Sequence, residues 1–252
     1  VLEDIRKKVT ISEIEIKEKI SCHKCSSENC IECPILDPKF FIKWDNEVAL
    51  EMPNLRGIVS AFWIIPRQSH WMKKTITEHP ISTVFYDFKS GYKLYARLLA
   101  FAIMKAMKNN PSFKSVRFDY IFGIPLSPEK KKNGELDRVS EICKILSKEM
   151  GVEYSEDWLS LTEHVTRREY KRLGKQTFTN DYYESLELKT PVPLDDKTIL
   201  IVDDVVTDGL TLKVTAKKIK DSFPNSRIYA ATAGIMAKVS NMKKDVIDKF
   251  KK

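Results

Sequence analysis

From Thr83 onward, apolar and polar positions fall into alternating blocks. A run of β-forming residues from Val84 to Phe88 predicts a short strand, closed by a turn at Ser90-Gly91. An Ala/Leu-rich stretch then predicts a helix from about Lys93 to Lys108. Phe118 to Pro125 is an almost unbroken apolar run, the pattern of a buried strand. Pro128 and the polar Lys130-Lys131-Lys132-Asn133-Gly134 predict a loop. Leu136, Val139, Ile142, Cys143 and Leu146 recur on one face of a helix that runs to Met150, with Gly151 as its C-cap. A weaker strand near Trp158 to Leu161 precedes a basic stretch with little to bury. Thr198 to Val202 predicts another strand, Leu210 to Phe223 a helix, Arg227 to Ala233 a strand, and a charged helix ends the chain. Strand and helix alternating at this spacing indicate an α/β fold with a doubly wound, mostly parallel sheet.

The chain upstream of this block has a different texture. Val9, Ile11, Ile14, Ile16 and Ile20 are spaced between strand and helix periods, so that segment receives no assignment. Phe40 to Trp71 is rich in aromatics and is interrupted by Pro53 and Pro66. Residues 1–80 are read as a small N-terminal module and its junction, and residues 81–252 as the α/β domain. At 252 residues and 42% hydrophobic content the chain can bury a large core, which excludes global disorder. Its most apolar helix candidate, Leu94 to Met107, contains Arg97 and Lys105, and no stretch reaches eighteen uninterrupted apolar residues, so a soluble protein with no membrane partner is expected. Val1 to Lys8 is charged from its third residue and lacks the apolar core of a signal sequence, while a start at Val leaves open a segment removed before it. The net charge of +8 favours polyanionic partners, either nucleic acid or a phosphorylated small molecule.

The segment Thr198 to Leu212, TILIVDDVVTDGLTL, carries the chemistry. Ile199 to Val202 deliver the chain to the carboxyl end of a buried strand, where open α/β sheets bind ligands. Asp203 and Asp204 follow, then Val205, Val206 and the small polar loop Thr207-Asp208-Gly209-Leu210-Thr211 that opens a helix. Glycine permits close approach to a phosphate, the helix start favours an anion, and Thr207 and Thr211 offer hydroxyls. Two carboxylates beside a phosphate require hydroxyls or a cation between them. A sugar with vicinal hydroxyls, together with Mg²⁺ bridging to further phosphates, meets that requirement. The alternative is an Asp-Asp turn that starts an ordinary α/β unit.

The same segment resembles the phosphoribosyl pyrophosphate (PRPP) motif of type I phosphoribosyltransferases, two acids followed by a Thr-rich, Gly-containing loop. Asp208 departs from it, standing where that family more often has Thr, Ser or Ala. Phe122-Gly123-Ile124-Pro125-Leu126-Ser127-Pro128 and the basic loop after it resemble a segment of competence ComF-like phosphoribosyltransferases. In that resemblance Gly123, Ile124 and Pro125 fall on the loop that contacts pyrophosphate. Lys89-Ser90-Gly91 is similar to the family's basic approach to an Ala/Leu-rich helix, although Asp87-Phe88 stands near the positions of its usual Lys-Tyr pair. The resemblance spans about Val84 to Gly234. It implies that Asp203 and Asp204 act on substrate and that residues 205–211 hold PRPP. The basic stretch with Arg167, Arg168, Lys171 and Arg172 lies where type I enzymes carry a flap, and a cationic lid there would stabilise departing diphosphate and exclude water. A solvated charge run is the competing reading.

Cys22, Cys25, Cys30 and Cys33 form two C-x-x-C knuckles separated by four residues, while Cys143 stands alone downstream as a small core residue. Two such knuckles bring four thiolates to one tetrahedral ion, which points to structural Zn²⁺ in a reducing, cytoplasmic compartment. An iron–sulfur cluster competes, since Cys25, Cys30 and Cys33 also match part of a ferredoxin-like spacing. ComF-like proteins typically carry an N-terminal cysteine module of this kind. Two functions of different class follow. One is an enzyme that transfers the phosphoribosyl group of Mg²⁺-PRPP to a nucleobase or other nitrogen acceptor, releasing diphosphate. The other is a non-catalytic PRPP sensor or nucleic-acid-associated protein, with weak nucleic-acid binding and a role in DNA uptake or processing.

Overall fold

Strands whose residues are buried on both faces build the centre of the molecule. The computed structural model describes residues 52–64, 80–93, 95–163, 165, 175–190 and 192–236. Five strands form a wholly parallel sheet: β1 (Gly57–Ile64), β2 (Tyr120–Gly123), β3 (Glu153–Tyr154), β6 (Thr198–Val206) and β7 (Arg227–Met236), in the order β1-β7-β6-β2-β3. A short antiparallel pair, β4 (Leu159–Leu161) and β5 (Leu186–Leu188), lies apart from it. The α/β class and the parallel sheet expected from the sequence are those observed.

β6 is the central strand, and alternate residues of it face two different cores. Leu200 and Val202 pack with helices α1 (Pro80–Lys89), α2 (Tyr95–Asn109) and α4 (Arg138–Met150). Ile199 and Ile201 pack with α5 (Lys175–Ser185) and α6 (Leu210–Ser222). All four are fully buried, and each contributes about 1.5 to 3 kcal/mol relative to exposure. Helix α2 is buried on nearly every side, which explains why its sequence is apolar beyond one stripe. A one-turn helix, α3 (Pro128–Lys132), fills the expected basic loop. Helix α4 ends at Gly151 in the left-handed conformation (φ 65°), as the sequence predicted, and Cys143 is a buried core thiol on it.

Several expectations are corrected. Val84 to Phe88 is not a strand but the body of α1. Proline opens that helix, where its missing N–H costs nothing, and Val84, Phe85 and Phe88 line one buried face at helical spacing. Ser90-Gly91 is the exit from this helix, with the Ser90 N–H donating to the Tyr86 carbonyl (3.0 Å). Helix α5 and strand β5 received no assignment from sequence; Phe178 and Tyr182, four residues apart, anchor α5 in the second core. β1 arises within the first 80 residues yet pairs with β7 from Gly57 to Ile64, so the α/β unit reaches upstream of residue 81. The four clustered cysteines, the predicted C-terminal helix, and Arg167 and Arg168 lie outside the described residues. Among the described residues no helix is long and apolar enough to cross a membrane.

Candidate functional site

The sheet opens where two neighbouring strands part. β2 pairs with β6 only as far as Gly123 opposite Val202, and the Ile124 N–H makes a final bond to the Val202 carbonyl (2.9 Å). β6 continues along β7 for four more residues, with Asp203 opposite Thr232 and Val206 opposite Ile235. The strand thus runs beyond the expected end at Val202, and the acidic pair stands within it. After β2 the chain enters α4 on one face, whereas after β6 it enters α6 on the other. Chains leaving in opposite directions make this a topological switch point, the crevice where open α/β sheets bind ligands. Gly123 and Ile124 stand where the pairing with β6 ends, with Pro125 next in the chain, and Asp203 and Asp204 follow directly on β6.

Asp203 and Asp204 differ in environment. The Asp203 Oδ1 accepts a hydrogen bond from the Asp204 N–H (2.7 Å). Burial first, and then the charge of Asp204, push the Asp203 carboxyl well above the usual carboxylate range, with Lys89 opposing them. Asp204 has a cationic partner instead: the Arg138 Nε donates to its Oδ2 at 3.1 Å, both side chains being mostly buried. Arg138 was missed in the sequence reading. It is the first residue of α4, following the N-cap Asp137, whose Oδ1 accepts from the Ser140 N–H (3.0 Å). A cation in the first turn opposes the helix dipole, and that local misfit is the signal that could have singled it out.

The loop after the acids is tight. Gly209 is left-handed (φ 72°) and caps α6, and a Cβ there would run into the Met52 Cε. The Asp208 Oδ1 accepts from the Leu210 N–H at 3.2 Å, so this carboxylate occupies one donor of the helix start. Thr207 and Thr211 are half-buried beside it, and Val206 is buried beneath. Gly123 serves packing as well as the crevice: a Cβ on it would lie 3.1 Å from both the Cys143 Sγ and the Val139 Cγ1, so glycine lets α4 settle against the end of β2. Burial pushes the Cys143 thiol up, which keeps it protonated and inert.

Chemically, the crevice offers two adjacent carboxylates, of which, among the described residues, Asp204 is the one paired with an arginine, next to backbone donors of a helix start. Such a set suits a ligand that presents hydroxyls to the acids and an anion to the loop.

No family model matches the sequence, and no curated protein matches it. Among solved structures, a UMP synthase from Leishmania donovani aligns with 58% of this chain at 18% identity and a TM-score of 0.30. This chain spans 22% of the length of that protein.

Proposed function

We propose that the crevice binds PRPP and that the protein transfers its phosphoribosyl group to a nitrogen nucleophile with release of diphosphate. The observation that carries this reading is the position of Asp203 and Asp204, on β6 just beyond the end of β2 and directly before the loop that opens α6. The carboxylates accept hydrogen bonds from the vicinal ribose hydroxyls, and the amides of residues 207–211 receive the 5-phosphate. The nitrogen lone pair forms a bond to the sugar C1 as the C1–O bond to diphosphate breaks. That bonding pair leaves with the diphosphate, which takes up the proton that the nitrogen gives up.

The acidic pair fits a divalent cation, because the Arg138 pairing shown is to Asp204, and burial first, then the charge of Asp204, raises the Asp203 carboxyl. Asp203 and Asp204 would hold Mg²⁺ together with substrate oxygens, and the ion would neutralise charge building on the diphosphate. Arg167 and Arg168 are proposed to close over the leaving group. Cys22, Cys25, Cys30 and Cys33 are proposed to hold a structural Zn²⁺ in the N-terminal module of a cytoplasmic, ComF-like protein.

A second reading, a protein that binds PRPP without turnover, is favoured by one observation. The Asp208 carboxylate already occupies the Leu210 amide, and an incoming phosphate must displace it. Calorimetry with PRPP, with and without Mg²⁺, followed by a diphosphate-release screen over nucleobases, separates the readings. Changing Asp203 and Asp204 together to Asn should weaken PRPP binding by about tenfold to a hundredfold for each charged hydrogen bond lost. Unchanged affinity in that double variant would refute the sugar site, and binding without diphosphate release with any acceptor would favour the second reading.

A further inference from the structure

The opposite edge of the sheet carries a feature that the PRPP reading does not use. Parallel strands bring their starts to one edge, and there Arg56, Arg117 and Arg227, with Thr198 and Tyr229, line a cleft of about 350 Å³. Arg56 directly precedes β1, Arg227 begins β7, and Arg117 stands three residues before β2. With strands about 4.8 Å apart, the outer two arginines start some 15 Å from each other, a span their long side chains can close from both sides. Among the described residues none of the three guanidiniums pairs with a carboxylate.

We propose that this cleft is an anion site for a small, multiply charged phosphate compound of the diphosphate class. Its volume lies within the range of small-molecule sites. Like charges brought together from three separate segments repel unless an anion lies between them, and guanidinium forks match phosphate oxygens two at a time.

The main-chain groups hold the cationic side chains in place and are already satisfied. The Arg56 N–H donates to the Ile228 carbonyl (2.8 Å), the Arg227 N–H to the Lys197 carbonyl (2.8 Å), and the Thr198 N–H to the Asp119 Oδ2 (2.8 Å). The Arg227 Nη2 also donates to the Asp196 carbonyl (3.2 Å), which orients its fork and leaves its other donors for a ligand. Tyr229 is braced from below by Phe113 and Phe118, edge to face at 5.3 and 5.6 Å, so the floor of the cleft is rigid. Carboxylates reach this edge as well: the Asp119 Oδ2 accepts from the Thr198 N–H, and Asp195 and Asp196 lie in the turn before β6, where the Asp195 Oδ1 accepts from the Asn225 N–H. Thr198 and Asp203 stand five positions apart on β6, about 17 Å, so one small ligand cannot occupy both sites.

Calorimetry on the full chain at physiological salt, with inorganic diphosphate, orthophosphate and ADP in turn, tests the assignment. Saturable binding of diphosphate should persist in the Asp203→Asn/Asp204→Asn variant. It should weaken by about tenfold for each guanidinium replaced in Arg56→Gln, Arg117→Gln and Arg227→Gln, and the triple Gln variant should still bind Mg²⁺-PRPP as the parent does. All three side chains are exposed, so the fold should tolerate these changes; the single Arg117→Gln variant serves if the triple one does not fold. Tighter binding of ADP than of diphosphate would assign the site to a nucleotide, and equal binding to free diphosphate. Diphosphate binding without Mg²⁺ that is as tight after the triple substitution in the double Asn background as before it, that vanishes in the double Asn variant, or that is surpassed by single-stranded DNA with a steep salt dependence would overturn the proposal.

Discussion

Replacing Asp203 by Asn should make the protein more stable at pH 8 while weakening PRPP binding. Asn is nearly isosteric and retains an oxygen to accept from the Asp204 N–H, so the substitution mainly removes a charge. Burial and the neighbouring Asp204 hold the native Asp203 carboxyl above its ordinary value. Between the unfolded value, about 3.9, and the higher native one, the native chain therefore binds more protons than the unfolded chain. Stability consequently falls as pH rises through that window, and the full penalty is present above it. An inadequately paired buried charge costs at least as much as an unsatisfied buried polar group, about 1 to 3 kcal/mol. At about 2 to 4 °C per kcal/mol for a domain of this size, Asp203→Asn should raise the melting temperature by about 2 to 12 °C at pH 8. The gain should shrink toward zero as pH approaches 4, where the parent carboxyl is neutral in both states. Thermal unfolding by circular dichroism at pH 5, 6.5 and 8, parent beside variant, reads this directly. A variant less stable than the parent at pH 8, or one stabilised equally at every pH, would refute the argument that ionised Asp203 is held at a cost.

Other outcomes follow from the same geometry. Gly209→Ala should lose about 1 to 3 kcal/mol, because its left-handed backbone disfavours a side chain and Met52 fills the space; combining it with Met52→Ala should recover the steric part alone, read as coupling in a thermal double-mutant cycle. Arg138→Gln should weaken Mg²⁺-PRPP binding in the parent and have little effect when Asp204 is already Asn, and equal effects in both backgrounds would show that Arg138 does not act through Asp204. Protein purified without added metal should carry close to one zinc per chain by elemental analysis, and iron with visible absorbance, or no metal, would remove the zinc assignment. Hydrogen exchange across Thr166 to Gln176 should slow when PRPP binds; exchange that is already slow and unchanged would remove the lid.

Much of the fold could be read from periodicity, and the failures have local causes. Helices α2, α4 and α6 and strands β2, β6 and β7 appear close to their expected positions because each is long or strongly apolar. Val84 to Phe88 was misread because β-branched and aromatic residues favour strands in isolation. Only the proline at its start and the four-residue spacing of Val84 and Phe88 mark a helix, whose packing against the first core overrides propensity. Helix α5 escaped because two aromatics carry its burial and the rest is polar. The acidic pair and its loop were legible because the strand, the acids, the glycine and the following helix are contiguous in sequence. Arg138 and Met52 were not, because they reach the same crevice from elements 66 and 157 positions away along the chain. No local pattern encodes that convergence.

The position of the acids along β6 also explains why the crevice can tolerate them. One residue earlier, at Val202, a carboxylate would lie opposite Gly123 in the fully buried centre of the sheet, where an unpaired charge costs far more than any binding energy returns. A few residues later, in the exposed part of the loop, it would be solvated and its hydrogen bonds to a sugar would compete with water on equal terms. Around the acids β7 still pairs on one side, at Asp203, Val205 and Val206, while β2 has ended at Gly123 on the other side. The charges therefore sit in a partly dry environment that strengthens their bonds to a ligand, and the Arg138 guanidinium from α4 offsets one of the two. The remaining cost falls on Asp203, which makes it the position where stability and ligand binding should move in opposite directions.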